Sequence, residues 1–135
     1  MEIPADSLRG LHIYHLMTSA LIPRPIAWVG TRSVDGVDNL SPFSYFMGVS
    51  SKPPALAISV ARAGRERLKD TARNILDTQS FTVSMVSQAQ LQVMVDTSAK
   101  WPSETSEFEA TGLELQEGRY GSAPWPAVAK VAMEC

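Results

Sequence analysis

The pattern of apolar and polar residues near the start of the chain predicts a strand followed by a hairpin turn. Apolar positions between residues 8 and 22 are scattered without a clear period. The segment Pro23-Arg24-Pro25 then favours an extended backbone, because proline fixes its own φ and disfavours the helical region for the residue before it. Residues 26–31 are rich in β-branched and aromatic side chains, and Asp35-Gly36 is typical of the turn that closes a hairpin.

Two further strands are predicted before any helix. Residues 39–48 place apolar side chains among serines, which favours the returning strand of the hairpin. Pro42 lacks the N–H that a ladder hydrogen bond needs, so this strand is expected to lie at the edge of a sheet, to contain a bulge or to be kinked. After the rigid Pro53-Pro54 connector, the apolar run over residues 55–60 predicts a third, largely buried strand.

The hydrophobic period becomes helical from Leu68 onward. Apolar residues recur there at the spacing of one helix face, which predicts a helix over residues 70–78. Asp70 and Thr71 are both suitable N-caps, because a short polar side chain can accept a hydrogen bond from the first free N–H groups.

The second half of the chain adds a strand and a second short helix. Residues 80–86 alternate as a strand, and Ser87 and Gln90 have the spacing of a capping box before that helix. Residues 96–117 are acidic, and they predict a solvated surface loop that ends in a strand at 113–115. Strands that precede helices, without regular alternation, favour a mainly β fold with short helices, a small antiparallel barrel.

Length and composition indicate a single domain over residues 1–135. A chain of this length with 44% hydrophobic residues can bury a core without disulfides or metals. The net charge of −2 disfavours nucleic acid as a partner, and no run approaches the roughly 18 apolar residues that span a bilayer. The single Cys135 excludes an internal disulfide, which fits a reducing compartment. We therefore expect a cytoplasmic protein, with no membrane partner because it has no spanning segment.

Basic residues are concentrated in one short segment. Residues 62–73 hold five basic and two acidic residues, so this segment carries +3 and the rest of the chain −5. It leads into the predicted helix N-terminus, where free N–H groups and the helix dipole favour a phosphate. Lys69 and Thr71 could add hydrogen bonds there. An ordinary solvated charged face explains the same composition and is the commoner origin of such a segment.

A second candidate site lies in residues 39–44, which combine an amide, small hydroxyls and an aromatic ring. Such an interrupted strand can present backbone donors and acceptors to a planar heterocycle, whereas an edge strand with its serines in water is the simpler interpretation. His12, His15 and Cys135 are too few for a closed metal site, and no nucleophile motif is present. Neither a metal nor a catalytic side chain is therefore predicted.

Taken in order, these motifs resemble the flavin reductase-like, FMN-binding split-barrel family, which includes flavoredoxins. The resemblance is carried by residues 23–31, 35–36, 39–46, 53–54, 69–71 and 74–75, and it continues at 108–113 and 131–135. It implies a Greek-key antiparallel β-barrel, the split barrel, that binds FMN at a homodimer interface. Members usually continue beyond the landmark at Glu134-Cys135, which implies a barrel completed by the partner subunit or a truncated chain.

Carried over by position, the resemblance implies a set of cofactor-binding residues. The isoalloxazine ring and ribityl chain would be lined by Asn39, Ser41, Phe43 and Ser44, with Ser59 and Arg62 nearby. The phosphate would be held by Lys69, Asp70 and Thr71, the anion site that the charge pattern also indicates. Thr31 would touch the ring from its other side.

The resemblance implies an NAD(P)H:flavin oxidoreductase. NADH or NADPH would donate hydride to the flavin, which would pass electrons to an acceptor protein such as a monooxygenase component or leave as a diffusible reduced flavin. A non-catalytic FMN-binding or interaction module of the same fold is the alternative, because the sequence contains no dedicated nicotinamide motif. A third possibility is a barrel whose basic segment is only surface.

Overall fold

The computed structural model describes residues 2–64 and 67–135 and has the predicted mainly β fold with short helices. The strands are β1 (Ala27–Arg32), β2 (Asp38–Phe43), β3 (Phe46–Ser51), β4 (Pro54–Ile58), β5 (Thr82–Met85), β6 (Leu115–Gln116), β7 (Trp125–Pro126) and β8 (Ala132–Glu134). The helices are α1 (Gly10–Ala20), α2 (Asp70–Thr78), α3 (Leu91–Asp96) and α4 (Glu107–Thr111), with 3-10 turns at Ala5–Ser7 and Gln88–Gln90.

The central sheet contains four antiparallel strands in the order β2-β1-β5-β8. Strands β3 and β4 form a separate antiparallel ribbon, and β6 pairs with β7. The predicted hairpin joins β1 to β2, with Arg32 opposite Asp38, and Gly36 in its turn has a φ of 86° that favours glycine. Among the described residues, no helix has both the length and the apolar run that crossing a bilayer requires.

Strand β1 lies at the centre of the core because it has neighbours on both edges and on both faces. Its alternating side chains enter two clusters, one containing Val29 and Val83 and the other containing Trp28, Leu40 and Phe108. The Trp28 indole donates a hydrogen bond to the Thr97 hydroxyl at 3.0 Å. The sheet therefore anchors α3 and α4 on one face and part of the ribbon on the other.

Two strand predictions were wrong in detail. Residues 39–48 form two strands that break at Ser44 and Tyr45, and Pro42 stays within β2, which tolerates a missing donor because it is the edge of the sheet. The third strand, predicted over residues 55–60, forms as β4 but is not largely buried, since none of its residues is more than partly buried. The two-stranded ribbon packs one face against the core of the protein, and its other face meets solvent.

The helices with a strong local sequence signal were predicted, and the helix without one was not. Helix α2 has the predicted bounds, although its N-cap is Lys69 rather than Asp70 or Thr71, and the capping box of Ser87 and Gln90 is confirmed. Helix α1 was not predicted, and it has no buried residue that would impose a hydrophobic period.

The prediction of a solvated loop over residues 96–117 was wrong. This stretch contains α4, where Glu107 and Phe108 are 6% and 1% exposed. The helix packs against β2, so two of its side chains enter the interior although the surrounding sequence is acidic.

Candidate functional site

A cleft of about 410 Å³ opens where β2, the start of α2 and the start of α4 meet the loop that follows α3. Its volume lies within the roughly 300–1,000 Å³ that is usual for small-molecule sites. Six of the ten residues in the predicted site line this cleft, namely Asn39, Ser41, Phe43, Lys69, Asp70 and Thr71. The fold thus brings the two segments that the sequence singled out, 39–44 and 69–71, into one place.

The other four predicted site residues lie outside the cleft lining. Thr31 is fully buried behind it, and the Ser44 hydroxyl accepts a hydrogen bond from Arg24 Nε at 3.4 Å. Ser59 and Arg62 are exposed on the segment after β4. Arg65 and Glu66, which contribute to the basic segment, lie outside the described residues.

One end of the cleft is suited to an anion. Within residues 2–64 and 67–135, no side chain caps α2 at Lys69, and the first N–H groups of a helix have no partner within it, so these donors are suited to an anion. Arg67, Lys69 and Lys100 line the same cleft and add positive charge. The carboxylate of Asp70 forms an ion pair with Arg73 at 2.8 Å, which offsets its repulsion of a bound anion.

Among the residues that the structure describes, the rest of the cleft lining is uncharged apart from Glu107 and includes two aromatic side chains. Ser41, Pro42 and Phe43 of β2 line the cleft together with Ser98, Ala99 and Trp101 of the loop after α3, and Trp101 is 39% exposed. Sequence reasoning missed this loop because residues 98–101 lie within the acidic stretch that was interpreted as solvated surface. The arrangement fits an elongated molecule with an anionic group at one end and a planar ring at the other.

Behind the cleft lies a buried hydrogen-bonded network. Glu107 accepts hydrogen bonds from the Asn39 amide at 2.9 and 3.0 Å and from the Leu40 backbone N–H at 2.9 Å. The Asn39 carbonyl oxygen accepts the Thr71 hydroxyl at 2.8 Å and the Thr31 hydroxyl at 3.2 Å. Both polar atoms of the Asn39 side chain are therefore engaged within the protein.

Burial raises the pKa of the Glu107 carboxyl above its ordinary value of 4.5, because the charged form loses hydration. The hydrogen bonds from Leu40 and Asn39 oppose this effect, since they stabilise the carboxylate, while the charge of nearby Asp70 reinforces it. Sequence reasoning missed Glu107 as well. The step Ser106-Glu107-Phe108, a capping residue before an acid and an apolar residue, was the available signal for a helix start.

Comparisons with known proteins agree with this architecture. An uncharacterized protein of Aquifex aeolicus is 42% identical over 135 residues, covering 100% of this chain and 69% of that protein. The crystal structure of nitrilotriacetate monooxygenase component B from Bacillus cereus superposes with a TM-score of 0.95 at 34% identity, covering 100% of this chain and 66% of that one.

A second solved structure extends the comparison. The 2-nitrobenzoate 2-nitroreductase of Pseudomonas fluorescens gives a TM-score of 0.88 at 30% identity, covering 100% of this chain and 64% of that chain. The present chain thus spans about two thirds of the length of each of these three proteins. The predicted split-barrel fold is confirmed by a solved structure from Shewanella frigidimarina with a split barrel domain, which superposes with a TM-score of 0.81 at 26% identity over 99% of this chain and 67% of that one. The family model for the flavin reductase like domain matches residues 17–135, and the chain therefore belongs to the flavin reductase-like family.

Proposed function

We propose that this chain binds FMN in the cleft and acts as an NAD(P)H:flavin oxidoreductase. The observation that carries the proposal is the meeting of the uncapped, cation-flanked N-terminus of α2 with the edge strand β2 in one cleft of suitable size. Membership of the flavin reductase-like family supports a flavin as the ligand.

The phosphate of FMN would lie at the start of α2. Lys69 contributes its ammonium group, and residues 70 and 71 contribute backbone N–H groups that have no partner within the helix. The Thr71 hydroxyl already donates to Asn39, so the backbone N–H of Thr71 rather than its hydroxyl would be the donor to the anion.

The ring and ribityl chain would lie along β2. Ser41, Phe43 and Trp101 all line the cleft, and they would contact the cofactor through one hydroxyl and two aromatic side chains. Asn39 and Thr31 support this strand from behind through the buried network. Ser44, Ser59 and Arg62 remain predicted contacts, for which the single chain offers no shared cavity with the others.

When bound, FMN supplies the hydride and single-electron chemistry that amino-acid side chains lack. The chain itself would hold the cofactor at one end by charge and along the rest by packing. NADH or NADPH is the proposed reductant. The likeness to nitrilotriacetate monooxygenase component B supports a partner monooxygenase as electron acceptor.

A homodimer is part of the same proposal. Helix α1 has no buried residue, Leu11 is 68% exposed, and Met47 and Val49 of the ribbon are each 60% exposed. Exposed apolar surface of this kind marks an interaction site more often than ordinary surface. A second copy of the chain, contributing its own apolar ribbon, would remove these side chains from water.

The test is a titration of the purified protein with FMN, followed by anaerobic addition of NADH or NADPH. We expect the flavin fluorescence to be quenched on binding and the visible flavin absorbance to bleach on reduction. A protein that takes up no FMN contradicts the proposal. A protein that binds FMN but is not bleached by either nucleotide would instead be a non-catalytic flavin-binding module.

A further inference from the structure

Glu107 lies at the back of the cleft, is 6% exposed and makes more hydrogen bonds to β2 than its neighbours on α4 do. An ionised carboxylate can only accept hydrogen bonds, so its partners must all be donors. The Asn39 amide and the Leu40 backbone N–H meet this condition. Because β2 is the edge of the sheet, the N–H of Leu40 has no further strand to pair with, and Glu107 satisfies it.

The donors of the network all point in one direction. The Asn74 amide donates to the Thr31 hydroxyl at 3.1 Å, and the hydroxyls of Thr31 and Thr71 both donate to the Asn39 carbonyl oxygen. The Asn39 amide nitrogen then donates to Glu107. The carboxylate therefore determines which way the Asn39 amide faces, and the amide determines how the Thr71 hydroxyl at the start of α2 is held.

We propose that Glu107 is a positioning residue for the flavin cleft. Through its hydrogen bonds it fixes the position of β2 relative to the start of α2. The inference rests on the proposed function, since it assigns Glu107 to the binding of FMN rather than to folding alone. The flat surface of β2 and the anion site of α2 share this single anchor, so both halves of the ligand would depend on it.

Exchanging the acid and the amide between positions 107 and 39 tests the network, because Glu and Gln, like Asn and Asp, have nearly the same shape. In Glu107→Gln the remaining oxygen can accept the Leu40 N–H, whereas the new NH₂ group faces the Asn39 NH₂; turning Asn39 over relieves that contact but gives up its bonds from the hydroxyls of Thr71 and Thr31. In Asn39→Asp two carboxylates face each other. In the double variant the new amide at 107 donates to the new carboxylate at 39, so this bond is restored with donor and acceptor exchanged, and the carboxylate at 39 still accepts the hydroxyls of Thr71 and Thr31.

The experiment measures the Kd for FMN by fluorescence quenching and the Tm of each variant of the full chain. Each single variant should weaken FMN binding by about tenfold or more, and the double variant should return to within about threefold of the wild type. Glu109→Gln is the matched control, because Glu109 is an exposed acid on the same helix and should leave the Kd unchanged.

The outcomes separate the two proposals. A wild-type protein that binds no FMN overturns the proposed function and this inference with it. Wild-type binding that Glu107→Gln leaves within about twofold, even with a lowered Tm, overturns the inference alone, because Glu107 would then be merely structural. Should a single variant fail to fold, the double variant decides: near wild-type binding supports the exchange, and loss of binding contradicts it.

Discussion

Two regions of the molecule differ in the kind of side chain that departs from the usual rule of burial, since one buries polar groups and the other exposes apolar groups. Between the sheet and helices α2 and α4, Asn39, Thr71 and Glu107 are each at most 8% exposed and are bonded to one another. On the β3–β4 ribbon, Met47 and Val49 are each 60% exposed. Polar groups are inside where they satisfy each other, and apolar groups are outside where no element of the chain covers them.

This difference indicates where each region's stability comes from. The network depends on hydrogen bonds whose loss leaves a buried polar group unpaired, so small changes there are costly. The ribbon depends on its own ladder and on whatever covers its apolar face, so changes there should alter association more than folding. Substitutions matched between the two regions therefore test the comparison directly.

The largest effect is expected at Gly30. A Cβ at this position would lie 2.0 Å from the Pro124 carbonyl oxygen and 2.6 Å from the Thr82 hydroxyl, so Gly30→Ala should lower the free energy of unfolding by about 3 kcal/mol or more. Gly48 of the ribbon has nothing within 4 Å, and Gly48→Ala should stay within about 0.5 kcal/mol of the wild type. Urea denaturation measures both, and equal effects would contradict the comparison.

The next effect concerns ligand binding rather than folding. Lys69→Ala removes the ammonium group beside the start of α2 and should raise the Kd for FMN about tenfold, or about 1.4 kcal/mol, with little change in Tm. Lys52→Ala, an exposed lysine next to the ribbon, is the matched control. If both variants bind FMN like the wild type, the basic segment is only surface.

A smaller effect on folding is expected from Val49→Asp. The side chain is 60% exposed, so a carboxylate there should change the free energy of unfolding of an isolated chain by only about 0.5 kcal/mol. The same charge within a dimer interface should promote dissociation, which sedimentation velocity measures. Val34→Asp, at the hairpin turn where Val34 is 72% exposed, should leave the oligomeric state unchanged. A monomeric wild-type protein would refute the proposed dimer.

The smallest effect is a pH dependence near the end of the sheet. The Glu134 carboxylate accepts the backbone N–H groups of Arg119, Tyr120 and Gly121 at 3.0, 2.7 and 3.1 Å, which lowers its pKa below the ordinary 4.5. A depressed pKa adds stability above the unfolded value and loses it as the pH falls through the folded value.

The Tm of the wild type should therefore fall more steeply than that of Glu134→Gln as the pH drops below 4.5. Thermal melts across this range measure the difference. Parallel pH profiles for the two proteins would show that these hydrogen bonds add no stability through ionisation.

Local signals were sufficient for part of the fold. The β1–β2 hairpin, the bounds of α2 and the capping box at Ser87 follow from turn, period and cap patterns that involve neighbouring residues. Helix α1 escaped prediction because it packs no residue into the core and therefore has no apolar stripe. The break at Ser44 escaped because Pro42 was the more obvious interruption, although an edge strand accommodates it.

The candidate site divides in the same way. Lys69 and Thr71 could be placed near an anion because they sit at a predicted helix start, and Ser41 and Phe43 because they follow the hairpin. Trp101 and Glu107 could not, since their partners across the cleft are distant in the sequence, 68 positions in the case of Asn39 and Glu107.

By itself, then, the sequence determined the mainly β character, the helix α2 that follows a basic segment, and the resemblance to the family. Only the tertiary structure decided that a buried acid ties the two halves of the cleft together. It also decided that the predicted contact residues Asn39 and Thr71 direct their polar side-chain atoms into the protein. The physical reason is that caps and periods act over a few residues. The pairing of a carboxylate with its donors depends on which distant surfaces the fold brings within 3 Å.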